Sequence, residues 1–433
     1  MNWKTYYEEH LVSADEAVSH VKSGSRVLLG DTVQFPRALM DAMVRNYEQY
    51  RDVEFTQMYS LGEEEYLKPK YEGHFRLNSF MLNANNREAF YEGRVDFSPS
   101  HYSQLPGVYR TEKPLDAAFV MVAPPDENGY VSLGAAVCYA KVGVETAGLV
   151  IAQVNDQAPY TYGGAQVHVS QIDWFVEHSM PVVEFPQGVI DDVSLRIGQY
   201  CADLIEDGSC LQLGSGTIPD AVLYALDDKK DLGVFAELFS DGVVHLYEKG
   251  IINCSKTGVF PGKLAASLLL GTEKLYRWAD KNPNLVLYPI DFMNNPENIQ
   301  KNDNMVSING CVAIDLFGQV ASETVNGRQF SGIGGQLDYI RGSLASKNGK
   351  SILAMRSTAK GDTISKIVLE HPAGTIITTP RTDVDYIVTE YGTAHLRGRT
   401  NRERASQLIN IAHPAFRTAL TRDYEEKHHV KLF

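Results

Sequence analysis

Residues 232–244, Leu-Gly-Val-Phe-Ala-Glu-Leu-Phe-Ser-Asp-Gly-Val-Val, form a near-continuous apolar run that a single carboxylate, Glu237, interrupts. An ionised carboxylate left in low dielectric without a partner costs several kcal/mol, so such a group is either satisfied or functional. On the residues alone both readings stand: a strand-end or paired core glutamate, or a nucleophile sharpened by desolvation. Upstream, residues 211–222, Leu-Gln-Leu-Gly-Ser-Gly-Thr-Ile-Pro-Asp-Ala-Val, read as a strand that ends in a tight glycine turn and opens a helix at Pro219. Backbone amides of Gly214, Ser215, Gly216, Thr217 and Ile218 would face a ligand from that helix start. The two segments together suggest a nucleophile beside a ligand cradle.

A second glycine-rich stretch supplies a further cradle. Gly332, Gly334 and Gly335 lack Cβ atoms and tolerate positive φ, so their N–H groups can turn toward an anion or a developing oxyanion; a mobile loop is the plainer alternative. Other phosphate and nucleophile motifs fail on spacing. Gly342 to Gly349-Lys350-Ser351 has too many intervening residues for a P-loop, Gly214-Ser-Gly216 lacks the third glycine of the dinucleotide fingerprint, and no Gly-x-Ser-x-Gly elbow occurs. His168, His395 and His413 are isolated, and no His, Cys or carboxylate pair has metal-ligand spacing, so no metal is expected. Asp241 reads as a helix N-cap before residues 242–248.

These residues must be carried by a large soluble frame. The chain has 433 residues, 44% hydrophobic and 22% charged, more than one core absorbs, so two domains are expected. A net charge of −14 argues against nucleic acid or an anionic membrane as partner, and an anionic ligand must then be held locally. The five cysteines are odd in number and widely spaced in apolar surroundings, which reads as buried thiols in a reducing compartment. The polar, acidic N-terminal decapeptide has no targeting pattern and no apolar stretch reaches spanning length, so a cytoplasmic location is expected.

An internal echo organises the frame. Residues 26–43 and 210–226 each read as a short apolar strand, a glycine (Gly30, Gly214), a loop, a proline and an amphipathic helix. Residues 117–132 and 305–322 form a second matched pair, around Gly129 and Gly318, in the same order and at nearly the same offset. Apolar runs such as 149–154 and 351–355 alternate with helical stretches, the pattern of mostly parallel sheets covered by helices. The expectation is an α/β fold of two similar, duplicated domains, 1–190 and 191–433, with ligands at the carboxyl ends of the strands and the active site between the halves.

Taken together, these segments resemble the family I CoA-transferases, specifically the acetyl-CoA hydrolase/transferase branch. The resemblance rests on residues 211–222, 237–244, 301–309 (Lys-Asn-Asp-Asn-Met-Val-Ser-Ile-Asn), 332–338, 359–368 (Ala-Lys-Gly-Asp-Thr-Ile-Ser-Lys-Ile-Val), 385–392 and 408–417. It implies that Glu237 is the nucleophile and that coenzyme A, a substrate rather than a permanently bound cofactor, contacts residues 214–218, Val312, Gly335 and Lys360. The Gly335 N–H is the first candidate oxyanion donor. The implied reaction exchanges CoA between a short-chain acyl-CoA, such as butyryl- or 4-hydroxybutyryl-CoA, and a carboxylic acid such as acetate, by a ping-pong course through a glutamyl-CoA thioester. Family likeness also implies a homodimer or larger homo-oligomer.

Two other functions compete. An acyl-CoA hydrolase would use the same Glu237 and differ only in admitting water, while a non-catalytic acyl-CoA binder has no need of a desolvated carboxylate. The acyl group itself is not legible: Gln34, Tyr59, Asn83 and Asn85 could contact a substrate hydroxyl or be ordinary loop and cap residues, and one methylene is worth only about 1–3 kcal/mol in an apolar pocket.

Overall fold

The computed structural model describes residues 2–432, which divide into two compact units. The first holds Met1–Pro186 and Ala265–Met293, the second Gln187–Leu264 and Asn294–Phe433.

The first unit is built on a fully parallel sheet. Among the described residues its strands are β1 (Arg26–Leu29), β2 (Val53–Gln57), β3 (Phe75–Ser79), β4 (Val95–Phe97), β5 (Ala117–Val122), β6 (Val150–Val154) and β7 (Trp174–Glu177), in the order β7-β6-β5-β1-β2-β3-β4. Every residue of β5 and β6 is buried, as befits central strands covered on both faces. Helix α1 (Arg37–Arg45) follows β1, and α2 (Ala140–Thr146) lies between β5 and β6 in sequence. Gly143 lets α2 approach the sheet closely, since a Cβ there would stand 3.0 Å from a Leu28 methyl and 3.1 Å from the Ala118 Cβ.

In the second unit α3 (Asp192–Ala202) and α4 (Thr217–Tyr224) flank β8 (Cys210–Leu213), followed by β9 (Gly233–Val234) and α5 (Asp241–Glu248). The sheet continues with β10 (Met305–Gly310), then α6 (Gln336–Ala345), β11 (Lys350–Ala354), β12 (Tyr386–Thr389) and β13 (Gly392–His395), in the order β9-β8-β10-β11-β12-β13. Only the β12–β13 pairing is antiparallel. Gly198 of α3 sits so close to α4 that a Cβ would meet the Ala221 carbonyl carbon at 2.6 Å.

The two sheets share one plan. Reading β7-β6-β5-β1-β2 against β12-β11-β10-β8-β9, five strands recur in the same spatial and chain order. The echo extends to single hydrogen bonds: Gly30 N donates to Phe119 O on β5 at 2.8 Å, and Gly214 N donates to Ile308 O on β10 at 3.0 Å. The mostly parallel, duplicated α/β architecture expected from the sequence is thus present.

The segment Ala265–Met293 departs from the sequence-based boundary at 190, because its backbone is hydrogen-bonded into the first unit. Leu285–Leu287 pairs in parallel with Tyr162–Gly163, Val137 N donates to Ser267 O at 3.0 Å, and the Tyr276 hydroxyl donates to Val183 O at 2.8 Å. The five cysteines are free thiols, four of them buried and Cys311 half-buried. Among the described residues no helix is long and apolar enough to cross a membrane.

Candidate active site

The apolar run around Glu237 does not form one buried strand. It yields the two-residue β9, a bend at Glu237, a second short strand, Leu238–Phe239, and then α5. Phe235, Ala236 and Phe239 are buried while Glu237 is half-buried, so the bend brings the carboxylate out of the core at the carboxyl end of β9. Asp241 is the first residue of α5 and Ser240 holds the N-cap position assigned to Asp241 from sequence.

Asn294 and Gly335 border the carboxylate. Asn294 Nδ2 donates to Glu237 Oε2 at 2.6 Å, a charge-assisted bond of the stronger class. Asn294 is fully buried and its Oδ1 has no hydrogen-bond partner, so its orientation is set by the glutamate. On the other side Gly335, the N-cap of α6, closes on the same oxygen: a Cβ built on it would lie 2.0 Å from Glu237 Oε2 and 2.1 Å from Asn294 Nδ2. Only glycine fits at this approach. The amino end of α6 favours negative charge here, since its unpaired N–H groups and macrodipole point outward. One turn into α6, Tyr339 is buried, and burial first, then the charge of Glu237, push its phenol well above the usual range. Gly335, expected from sequence to supply an oxyanion donor, thus lies against Glu237, while the side chain that donates to Oε2 is that of Asn294.

The predicted coenzyme A residues divide. Gly214 to Ile218 form the turn from β8 into α4, which begins at Thr217, two residues before Pro219. Gly216 adopts φ 114°, a conformation glycine supplies freely, and Ser215 is exposed. The cradle shape is present, but its anion-holding end is modified by Asp220 in the first turn of α4, buried and raised above the ordinary carboxylate range by desolvation against hydrogen bonds from Gln187 and Ser240. Val312 is half-buried just past β10, its N–H bonded to Ala321 O at 2.9 Å, rather than in a strand core. Lys360 stands on an exposed turn at φ 50° between two short strands, and no hydrogen bond or ion pair among the described residues joins it to the Glu237 cluster.

A polar belt along the strand ends completes the setting. Gln212 and Asn309, at the ends of β8 and β10, exchange amide hydrogen bonds of 3.1 and 3.3 Å. Gln336, next to Gly335, donates to Gly310 O at 2.6 Å and accepts from Ser322 at 2.8 Å and Thr379 at 3.2 Å, which anchors the start of α6. Asn294 is the residue sequence reasoning missed. Its one signal is residues 294–296, Asn-Asn-Pro, which is equally the signature of the helix cap that Asn295 makes. Among the described residues no group of three His, Cys, Asp or Glu side chains could hold a metal.

Comparison with known proteins addresses the whole chain. Residues 1–186 match the acetyl-CoA hydrolase/transferase N-terminal domain and residues 271–424 the C-terminal domain. The chain is 45% identical to a 4-hydroxybutyrate coenzyme A transferase of Clostridium kluyveri, covering 99% of this chain and 100% of the relative, and 35% identical to a butyryl-CoA:acetate CoA-transferase of Anaerostipes caccae, covering 98% of each. The crystal structure of RipA from Yersinia pestis superposes with a TM-score of 0.95 at 33% identity over the full length of both chains. With the duplicated fold and two matched domains accounting for most of its length, the chain belongs to the acetyl-CoA hydrolase/transferase family and is an enzyme of the CoA-transferase type.

Proposed function

We propose that the enzyme exchanges CoA between a short-chain acyl-CoA, of the butyryl or 4-hydroxybutyryl kind, and a carboxylic acid such as acetate, with Glu237 as nucleophile. The observation that carries this reading is the seat of Glu237: one carboxylate oxygen held at 2.6 Å by Asn294 and walled by Gly335. Names of the relatives, transferases for 4-hydroxybutyrate and for butyryl-CoA and acetate, support the substrate class.

Glu237 Oε1 attacks the thioester carbonyl carbon, and the tetrahedral oxyanion collapses with loss of CoA thiolate to give an acyl-glutamyl anhydride. The thiolate then attacks Cδ of Glu237, releasing the first acid as its carboxylate and leaving a glutamyl-CoA thioester. A second carboxylate repeats the two steps in reverse. Throughout, Oε2 is the oxygen that becomes a carbonyl, and the Asn294 N–H that orients it in the resting enzyme is in place to stabilise the charge it acquires when Cδ is attacked. Residues 214–218, Val312, Gly335 and Lys360 hold coenzyme A, which is consumed and regenerated rather than resident.

Intact-protein mass spectrometry tests the intermediate. Mixing the enzyme with acetyl-CoA or butyryl-CoA, without acceptor acid, is expected to add the mass of CoA, less water, to the wild type and nothing to Glu237→Ala. A wild type that neither gains this mass nor releases CoA across a panel of short acyl-CoAs would remove Glu237 as nucleophile. Release of CoA without adduct or acyl transfer would identify a hydrolase.

A further inference from the structure

Helix α6 begins against Glu237 without a capping side chain of its own. Its N-cap is Gly335, which has nothing to offer the first-turn N–H groups, and the approach to Glu237 Oε2 and Asn294 Nδ2 leaves no room for a side chain there. Helix ends without such a cap fray, yet this one forms a wall of the carboxylate's seat. The next residue takes over the task. Gln336 is buried, and its amide reaches three segments outside α6. Nε2 donates to the carbonyl oxygen of Gly310, the last residue of β10, at 2.6 Å. Oε1 accepts from Ser322 Oγ at 2.8 Å and from Thr379 Oγ1 at 3.2 Å, so both of its lone pairs are used.

Those three partners are themselves fixed. Gly310 stands opposite Ala354 in the ladder between β10 and β11. Ser322 N donates to Thr378 Oγ1 at 2.9 Å, and that hydroxyl donates to the buried Glu323 carboxylate at 3.1 Å. The N–H groups of Thr378 and Thr379 both donate to Val320 O, at 2.9 and 3.1 Å. A side chain bonded three times to such a frame has given up its rotamer freedom before substrate arrives. Its backbone joins directly to Gly335, so any displacement of the amide is passed to the residue that borders Glu237. An apolar side chain of equal length would fill the same volume but would set no orientation.

We propose that Gln336 is a positioning residue for the transfer reaction: its amide holds Gly335 against Glu237 and Asn294, so that the chemical step, and not the binding of acyl-CoA, depends on it. This rests on the reading of Glu237 as nucleophile. The bond to Gly310 O is the directional part, since only a donor makes it. A glutamate at 336 keeps the shape and the acceptor contacts with Ser322 and Thr379, and supplies that donor only when protonated.

The test is the pH dependence of Gln336→Glu, read as the ratio of its kcat to that of the wild type for transfer from butyryl-CoA to acetate. Dividing by the wild type removes the titration of Glu237 itself, and burial keeps a carboxyl neutral above its ordinary range. At pH 8, with the ionised side chain facing Gly310 O, the ratio is expected to be lowered by about 10–10². At pH 5.5 it should recover by about fivefold or more, with KM for butyryl-CoA within about twofold of the wild type throughout. A ratio that stays flat between the two pH values, or a change in KM alone, overturns the proposal. So does a loss of kcat that the unfolded fraction at each pH, measured by circular dichroism, accounts for. The double variant Ser322→Ala, Thr379→Val withdraws both hydroxyls without adding charge and gives a reading even if the glutamate variant does not fold. Its kcat is expected to fall about threefold to tenfold with Tm within a few degrees of the wild type, and an unchanged kcat overturns the proposal. A wild type that transfers no CoA removes the exchange reading and this proposal with it, an outcome distinct from an active wild type whose variants match it.

Discussion

Gly335→Ala adds one methyl group, and the consequences can be worked from the seat of Glu237. The new Cβ would lie 2.0 Å from Glu237 Oε2 and 2.1 Å from Asn294 Nδ2, both closer than any real contact, so the carboxylate and the amide must both move. Gly335 has φ −94°, ordinary for alanine, so the backbone itself is not strained. Replacing glycine by alanine at an N-cap costs at most about 1 kcal/mol, and the fold should survive. What is lost is the 2.6 Å bond between Asn294 and Glu237, a charge-assisted bond of about 1.5–3 kcal/mol, and with it the alignment of the attacking oxygen. Loss of one donor to a developing oxyanion typically costs about 10²–10³ in rate, and the two effects overlap because the same N–H serves both. The expected result is a fall in kcat of about 10²–10³ for transfer from butyryl-CoA to acetate, with slower appearance of the CoA adduct in the mass spectrum and a melting temperature within a few degrees of the wild type. A Gly335→Ala enzyme that keeps kcat within about threefold would refute the reasoning, because no arrangement of the three groups accommodates the methyl without displacing the carboxylate.

Asn294→Ala removes the donor without adding bulk; kcat should drop about 10²-fold with KM nearly constant, and an effect confined to KM would argue that the bond is used equally in ground and transition states. Lys360→Ala should raise KM for acyl-CoA severalfold and leave kcat alone, with the difference fading at high salt because the side chain is exposed; no salt dependence would remove Lys360 from phosphate binding. Glu64, buried in the first unit, has its carboxyl pushed from 4.5 up to about 7, by burial first and against a hydrogen bond from Gln57. Raised in the folded state, it contributes stability fully present below pH 4.5 and lost as pH rises through 7, on the order of 3 kcal/mol across that window. Denaturant unfolding of Glu64→Gln at pH 5 and pH 8 should therefore show a smaller loss of stability with rising pH than the wild type, and identical slopes would refute it.

What could be read from the sequence, and what could not, follows from how each feature is encoded. Duplication was legible because a strand, a glycine turn and a following helix leave a local string, and two such strings recurred in order; the common five-strand order and the paired bonds of Gly30 and Gly214 are their structural form. Glu237 was legible for a similar reason, as a charge in an apolar run, although the inferred cause was only half right. The run does not bury the carboxylate in a strand but breaks at it, in the bend between the two-residue β9 and the short strand Leu238–Phe239 that precedes α5. Asn294 was not legible, since its role depends on a partner distant in sequence. An asparagine two residues ahead of a proline reads as part of a cap until Glu237 is seen at 2.6 Å. The boundary at 190 fell short for the same physical reason: the return of Ala265–Met293 to the first unit is made by backbone hydrogen bonds, which any sequence can form and none announces. Local strings thus reveal which halves were copied, whereas the seat of Glu237, held by Asn294 and walled by Gly335, emerges only from the folded chain.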